Sequence, residues 1–140
     1  MIEIGNSDII STEGKDMAKI NTKVDGEVMN ALRKEFEEKP NVYAKFFATM
    51  TDEQKTLVYG QLITSAFEEM MNNFELVSCV VAMMNHDLNV SETSRGAFLH
   101  RNTLIYRIDK IKKLTGLDIR KFEDATTFKT LMAVYYESKK

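Results

Sequence analysis

Apolar side chains recur every three or four residues along most of the chain, which is the spacing of one face of an α-helix. Val28, Leu32 and Phe36 form the first such stripe, in a helix predicted to begin at Asp25 and to end before Pro40. A short second helix is predicted after residue 41. No segment alternates apolar and polar residues as a half-buried β-strand does. The pattern therefore predicts an all-α protein.

The next predicted helix starts at a capping box, because Thr51 and Gln54 stand where each side chain can bond the other residue's backbone amide. We expect this helix to continue to about Met71. Its predicted buried face consists of Leu57, Val58, Leu62, Ala66 and Met70. Residues 72–73, two asparagines, interrupt the period, and a further apolar helix is predicted from there to His86.

Shorter elements are predicted beyond that helix. A turn is expected over residues 87–90, and Ser91 is expected to cap a brief helix that ends near Ala97. A long helix is predicted over residues 100–115, because Gly116 stands at the position where a left-handed glycine often ends a helix.

A last helix is predicted over residues 123–137. Its apolar face consists of Phe128, Leu131, Met132 and Tyr135. The whole pattern divides the chain into three parts. Residues 1–24 show little periodicity and are expected to form a flexible arm, residues 25–72 an N-terminal helical segment, and residues 73–140 a helix-turn-helix domain.

Composition narrows the class of protein. The 140 residues are 44% hydrophobic and 29% charged, which is ordinary for a soluble globular protein. The single cysteine, Cys79, excludes an internal disulfide and a thiolate zinc site, and we expect it to be a buried thiol. No apolar run reaches the roughly 20 residues of a membrane span, and no signal peptide is visible. A cytoplasmic protein that makes no use of the membrane is therefore expected.

Catalytic patterns are missing from the sequence. It contains no Gly-rich phosphate loop and no nucleophile motif, and the paired glutamates at 37–38 and 68–69 fit exposed helix surfaces. His86 and Asp87 have no second histidine or cysteine at ligand spacing. We therefore expect neither enzymatic activity nor a cofactor or bound metal.

Charge is distributed unevenly along the chain. Residues 1–94 carry eight Lys/Arg and 16 Asp/Glu, a net charge of −8. Residues 95–121 carry eight Lys/Arg and two Asp/Glu, a net charge of +6. A compact basic block in an otherwise acidic chain indicates an anionic partner that contacts that block.

The basic block coincides with the pattern of a helix-turn-helix. Ser94, Gly96 and Ala97 are small enough for two helices to cross closely. Leu99, Leu104, Ile108 and Ile111 would form the inner side of the second helix. Long hydrogen-bond donors would then occupy its outer side, namely Arg101, Asn102, Thr103, Tyr106, Arg107 and Lys110. Such side chains can reach phosphates and base edges in a major groove.

Several short motifs in this region resemble one known family. They are Asn89-Val90-Ser91-x-Thr93, His100-Arg101-Asn102-Thr103-Leu104-Ile105-Tyr106-Arg107-Ile108, Leu114-Thr115-Gly116-Leu117-Asp118 and Phe122-Glu123-Asp124. Together they resemble the C-terminal helix-turn-helix of PucR/CdaR-type bacterial transcription regulators, a domain distantly similar to the Fis type. The resemblance covers roughly residues 73–137. It departs from the family at Ser94, where alanine is usual, and at Ala97, where a larger aliphatic residue is usual.

The resemblance implies a transcription regulator that binds double-stranded DNA at specific sequences. The recognition helix would enter the major groove from about residue 100. The implied DNA-contacting residues are Ser91, Thr93, Arg95, His100, Arg101, Asn102, Thr103, Tyr106, Arg107 and Lys110. A homodimer is expected, with residues 52–71 and their methionine-rich end as the candidate interface. No effector is indicated.

Other interpretations of the same residues stay open at this point. His100 can cap the helix instead of contacting DNA, Tyr106 can pack on the preceding helix, and Arg107 can pair with an acidic residue. An architectural DNA-binding protein with little sequence preference would use the same helix. A protein-interaction module that has lost DNA binding would instead present the acidic N-terminal helices to a basic partner.

Overall fold

The computed structural model describes residues 14–39 and 41–140, with side chains from residue 26 onward. Throughout this part the regular structure is helical and no strand occurs, which confirms the predicted all-α class. The helices are α1 Gly14–Glu37, α2 Val42–Ala48, α3 Asp52–Leu62, α4 Ser65–Met71, α5 Phe74–Asn85, α6 Val90–Gly96, α7 Arg101–Thr115 and α8 Phe122–Ser138.

The chain divides into two compact units, Met1–Ala31 and Leu32–Lys140, and the boundary falls inside α1. This helix begins at Gly14 rather than at Asp25, so the predicted loose arm is helical from residue 14 onward. Neither glycine nor proline stands between these two positions to interrupt a helix. The remainder of the predicted arm, residues 1–13, lies outside the described residues.

The single helix predicted from Thr51 to about Met71 is wrong. α3 ends at Leu62, Ile63 is extended, and the Thr64 hydroxyl caps α4 by accepting a 3.0 Å hydrogen bond from the amide of Phe67. Threonine before a helix competes in this way for backbone amides, which favours a new N-terminus over an unbroken helix. The predicted buried face changes accordingly, because Leu62 is exposed whereas Ile63 is buried.

The starts of α2 and α3 were predicted correctly. The Thr51 hydroxyl accepts from the amide of Gln54 at 3.1 Å, and the Gln54 side chain accepts from the amide of Thr51 at 2.9 Å, so the capping box is present. α2 begins after Asn41, whose side chain accepts from the amides of Tyr43 and Ala44. Both caps satisfy backbone donors that lack a partner inside the helix.

The core lies beneath α7. This helix packs against α4, α5 and α6, while α8 packs against α2 and α3. Phe67 of α4 joins the two groups of helices through ring contacts to Phe128 and Tyr135 of α8, at centroid distances of 6.5 and 6.4 Å. Cys79 is 1% exposed, as predicted, and burial raises the pKa of its thiol to about 12.

The turn between α5 and α6 uses an unusual backbone. Asp87 and Leu88 both have left-handed φ angles, 54° and 64°. The cap of α6 is Asn89, whose side chain accepts from the amide of Glu92 at 2.9 Å, and not the predicted Ser91. Asparagine and serine are comparable as N-caps, and here the first of the two to follow the turn takes the position.

Candidate nucleic-acid interface

The turn between α6 and α7 is held by Ser94. Its hydroxyl donates to the carbonyl of Leu99, and its own carbonyl accepts from the amide of Leu99 at 3.0 Å. The chain between them passes through Phe98, which has a left-handed φ of 55°. The two bonds fix the path by which α6 leads into α7, so the serine at this position contributes more than a small volume.

Gly96 allows a close approach of α6 to the end of α5, whereas the sequence predicted small residues for the crossing of α6 and α7. A Cβ atom placed on it would lie 2.2 Å from Nε2 of His86, the residue that ends α5. The imidazole is held there, because its Nδ1 lies 2.8 Å from the carbonyl oxygen of Ala82. Glycine is therefore required by the contact between α5 and α6 and not by the backbone conformation.

α7 has one buried face, as predicted. Leu104, Ile108 and Ile111 are each 0% exposed. His100 caps the helix, since its Nδ1 accepts from the amide of Asn102 at 3.1 Å, and Gly116 ends it with a φ of 79°. This local role of the histidine was one of the alternatives that the sequence left open.

The outer face of α7 is polar. Asn102, Tyr106 and Lys110 are exposed and follow one another at four-residue spacing, on the side of the helix opposite the buried stripe. Thr103 is half-buried at the edge of this face. These side chains were predicted as DNA contacts, and the structure brings the first three together on one exposed surface.

Arg101 lies on the flank of that face and reaches back to α6. Its Nη1 donates to the hydroxyl of Ser91 at 3.0 Å. Both side chains are exposed, so the bond lies at the surface and connects the first turns of the two helices. Two residues predicted as separate DNA contacts therefore form one unit.

Two predicted contact residues form ion pairs with carboxylates. Nη2 of Arg107 lies 3.3 Å from Oε2 of Glu75 in α5, and only 18% of the arginine side chain is exposed. Arg95 pairs with Glu92 on the surface of α6. The ion pair of Arg107 with Glu75 connects α7 to α5. Pairing of Arg107 with an acidic residue was one of the alternatives that the sequence left open.

Thr93 is a correction to the predicted site. The residue is 0% exposed, and its hydroxyl donates to the carbonyl of Asn89 at 2.7 Å. Because it faces the interior on the first turns of α6, its side chain is not available to a ligand outside. Its role is structural, and it supports the residue that caps the helix.

The basic block is partly neutralised within the fold. Arg120 pairs with Asp118 at 2.9 Å and with Asp109 at 3.6 Å, and hydrogen bonding from this guanidinium lowers the pKa of Asp118. In the part of the chain that the structure describes, the cations of the block without an ion pair are Arg101, Lys110, Lys112, Lys113 and Lys121. These five carry the positive charge that remains available to an anionic partner.

Sequence reasoning missed Glu75 and Asn89. Asn89 carried a usable signal, since it directly follows a turn and precedes the polar first turn of a helix. Glu75 carried none, because its contact with α7 depends on how α5 and α7 pack. Among the described residues, no cluster of His, Cys, Asp and Glu is placed to hold a metal ion. In the same part of the chain, no helix is long and apolar enough to cross a membrane.

These elements form a helix-turn-helix of the DNA-binding class. They are a short helix, a turn held by hydrogen bonds, and a second helix with one buried face and one polar outer face. Comparison with known families assigns it more closely. Residues 76–134 match the family model of the PucR C-terminal helix-turn-helix domain, which the motifs in the sequence predicted. That family is one of regulatory DNA-binding domains.

The curated relatives agree with this assignment. The chain is 44% identical over 55 residues to the carbohydrate diacid regulator of Escherichia coli strain K12, covering 39% of this chain and 14% of the relative. It is 28% identical over 76 residues to the purine catabolism regulatory protein of Bacillus subtilis strain 168, covering 54% and 14%. The matched part is thus a small fraction of each relative. No solved structure matches the chain.

Proposed function

We propose that this chain regulates transcription by binding double-stranded DNA at specific sequences, with the first turns of α7 in the major groove. The supporting observation is the outer face of α7. Asn102, Tyr106 and Lys110 are exposed opposite a stripe that is completely buried, within a domain of the regulatory helix-turn-helix type. We propose no enzymatic activity for this chain.

Within this proposal the contact residues divide by chemistry. Asn102 stands on the first turn of α7, where an amide can pair with an adenine edge. We assign Arg101, Lys110 and the hydroxyl of Ser91 to phosphates, and the arginine alternatively to guanine. Arg107 is a positioning residue that acts through Glu75, and Thr93 makes no direct contact.

The experiment is selection from a random double-stranded DNA library, run in parallel with the wild-type chain and Asn102→Ala. We expect the wild type to enrich a short motif. The variant should lose roughly 1–3 kcal/mol of binding free energy on that motif and relax one base position. The matched control is Lys45→Ala on α2, an exposed cation remote from the motif in the sequence, which should enrich the wild-type motif.

Two outcomes would overturn the proposal in different ways. Enrichment of no motif, with tight binding to every sequence, would indicate an architectural DNA-binding protein. Absence of any salt-sensitive binding would indicate a protein-interaction module. Equal losses for Asn102→Ala on all sequences would remove the base-reading role from this residue alone.

We further propose that the protein acts in the cytoplasm as a homodimer. One helix-turn-helix contacts a short DNA site, and a two-fold dimer contacts two such half-sites. The predicted interface over residues 52–71 needs revision, since Met70 and Met71 are 0% and 1% exposed. Leu57 on α3 remains available at 63% exposure. Sedimentation analysis of wild type and Leu57→Glu should show a dimer that the charge weakens, and a monomer at high concentration would contradict it.

A further inference from the structure

A cavity of about 360 Å³ lies beside the helix-turn-helix, away from the outer face of α7. It is formed by the last turns of α1, the end of α5, the turn before α6 and the first turns of α8. The apolar wall consists of Phe36, Val81, Met84, Leu88, Phe122 and Ala125. The volume falls in the range of small-molecule sites, which begins at roughly 300 Å³.

The mouth of the cavity has an exposed aromatic side chain that the fold does not use. Phe122 opens α8 and is 78% exposed, although Phe36 and Ala125 beside it on the wall are buried. A ligand that covers a large exposed apolar side chain at the edge of an apolar cavity removes apolar surface from water, which favours binding. The binding energy at this position would therefore come from ring contacts.

The charged groups at the rim of the cavity balance one another in sign. The ammonium of Lys39 donates to the side-chain oxygen of Asn85, whose amide donates to Glu35 at 2.6 Å. Lys129 and Asp87 add one charge of each sign. With two cations and two anions around the opening, neither an anionic nor a cationic ligand is favoured, and the desolvation of an ionic group would go uncompensated.

We propose that this cavity binds a small, flat, uncharged molecule of one or two fused rings. Such a ligand would also contact Leu88, whose left-handed backbone forms the turn that leads into α6. The cavity is thus a ligand site separate from the DNA-contacting face, and ligand binding there needs no DNA.

The test uses N-phenyl-1-naphthylamine, an uncharged fluorescent ring compound, titrated into the full chain without DNA. We expect one saturable site. Phe122→Ala should weaken it by about tenfold, the equivalent of one lost ring contact. Ala125→Leu, which fills the wall, should abolish it. The circular-dichroism spectrum and melting temperature of each variant verify folding, and Phe122→Ala, an exposed position, keeps the test valid if Ala125→Leu does not fold.

The controls are Phe98→Ala and Phe46→Ala, which remove exposed rings that do not line the cavity. Both should bind the probe like the wild type. Equal weakening in all three phenylalanine variants would mean general surface adsorption and would overturn the proposal, as would the absence of saturable binding. Because DNA is absent from the titration, neither result bears on the proposed DNA-binding function.

Discussion

At the scale of single residues, the helix-turn-helix contains a phenylalanine that has an unfavourable backbone conformation and a side chain with almost no packing contacts. Phe98 has a φ of 55° and is 94% exposed. Left-handed backbone costs an ordinary residue roughly 1–2 kcal/mol, and glycine avoids that cost. Nothing in the contacts of the phenyl ring offsets this cost in the fold.

Phe98→Gly is therefore expected to raise the free energy of unfolding by up to about 1 kcal/mol, after the larger entropy of unfolded glycine is subtracted. Urea unfolding followed by circular dichroism measures it. Phe98→Ala is the matched control, since it removes the ring and keeps a Cβ, and it should leave stability unchanged. A loss of stability in Phe98→Gly would mean that the ring makes a stabilising contact.

Residue-scale signals were also those that the sequence predicted best. Thr51 with Gln54, His100 and Gly116 act within four residues of their own position, so the pattern contains the whole interaction. Arg107 shows the limit of this reasoning. Its partner Glu75 is 32 residues away, and only the packing of α7 on α5 decides that this arginine is paired and Asn102 is not.

At the scale of elements, the contact between α5 and α6 requires a residue without a side chain at position 96. Gly96 lies in α6 against the ring of His86, with no room for a Cβ. The sequence predicted small residues for the crossing of α6 and α7. The contact of Gly96 is instead with His86, and it follows from the left-handed turn at 87–88, which periodicity does not reveal. Likewise, the break between α3 and α4 arises from a cap at Thr64 within an apparently continuous apolar stripe.

Gly96→Ala should lower the free energy of unfolding by about 1–3 kcal/mol through overpacking, although alanine is ordinarily the better helix former. In a His86→Ala background the same change should be neutral or stabilising, and a double-mutant cycle in urea measures the coupling. Gly60→Ala is the control, because a Cβ there meets nothing within 4 Å, and it should stabilise α3. Additive effects of the His86 and Gly96 changes would contradict the steric contact.

The connection between α7 and α8 depends on an ionised carboxylate. Asp118 is 5% exposed, accepts two hydrogen bonds from the Arg120 guanidinium, and has a lowered pKa for that reason. A carboxyl whose pKa is lower in the folded state stabilises the fold above its unfolded pKa, about 3.9. That contribution is lost as the pH falls through the folded pKa.

Asp118→Asn should therefore destabilise the fold by about 1–3 kcal/mol at pH 7, because it removes charge-assisted hydrogen bonds. The difference from wild type should shrink as the pH falls below about 4, where the carboxyl of the unfolded chain takes up a proton first and that of the folded chain does so at a lower pH. Thermal unfolding across this pH range measures both. Asp109→Asn is the control, since that carboxylate is 60% exposed and 3.6 Å from Arg120, and its effect should be much smaller.

At the scale of the whole molecule, positive charge is concentrated in one segment of a chain whose net charge is negative. Eight cations lie in residues 95–121, but three arginines are paired with carboxylates and five cations are not. The sequence showed how many cations the block contains. It could not show how many are paired, because the partners Glu75 and Asp109 are defined only by the packed helices.

The salt dependence of DNA binding should reflect the five unpaired cations. If each neutralises one phosphate, log affinity should fall with log salt with a slope of roughly −4 to −5. Lys110→Ala should reduce the slope by about one, whereas Arg95→Ala, which removes a paired cation, should change it little. Fluorescence anisotropy over a salt series measures these slopes. Equal changes in the two variants would show that the pair opens on binding.

The bond from Arg101 to Ser91 has a consequence for the timing of recognition. A long side chain that is already restrained loses less rotational freedom when it engages a phosphate or a base, so less of its interaction energy is offset. Relaxing the restraint by Ser91→Ala would leave the rate of encounter with DNA nearly unchanged. It would shorten the lifetime of the complex, because gains of this kind are expressed mainly in dissociation.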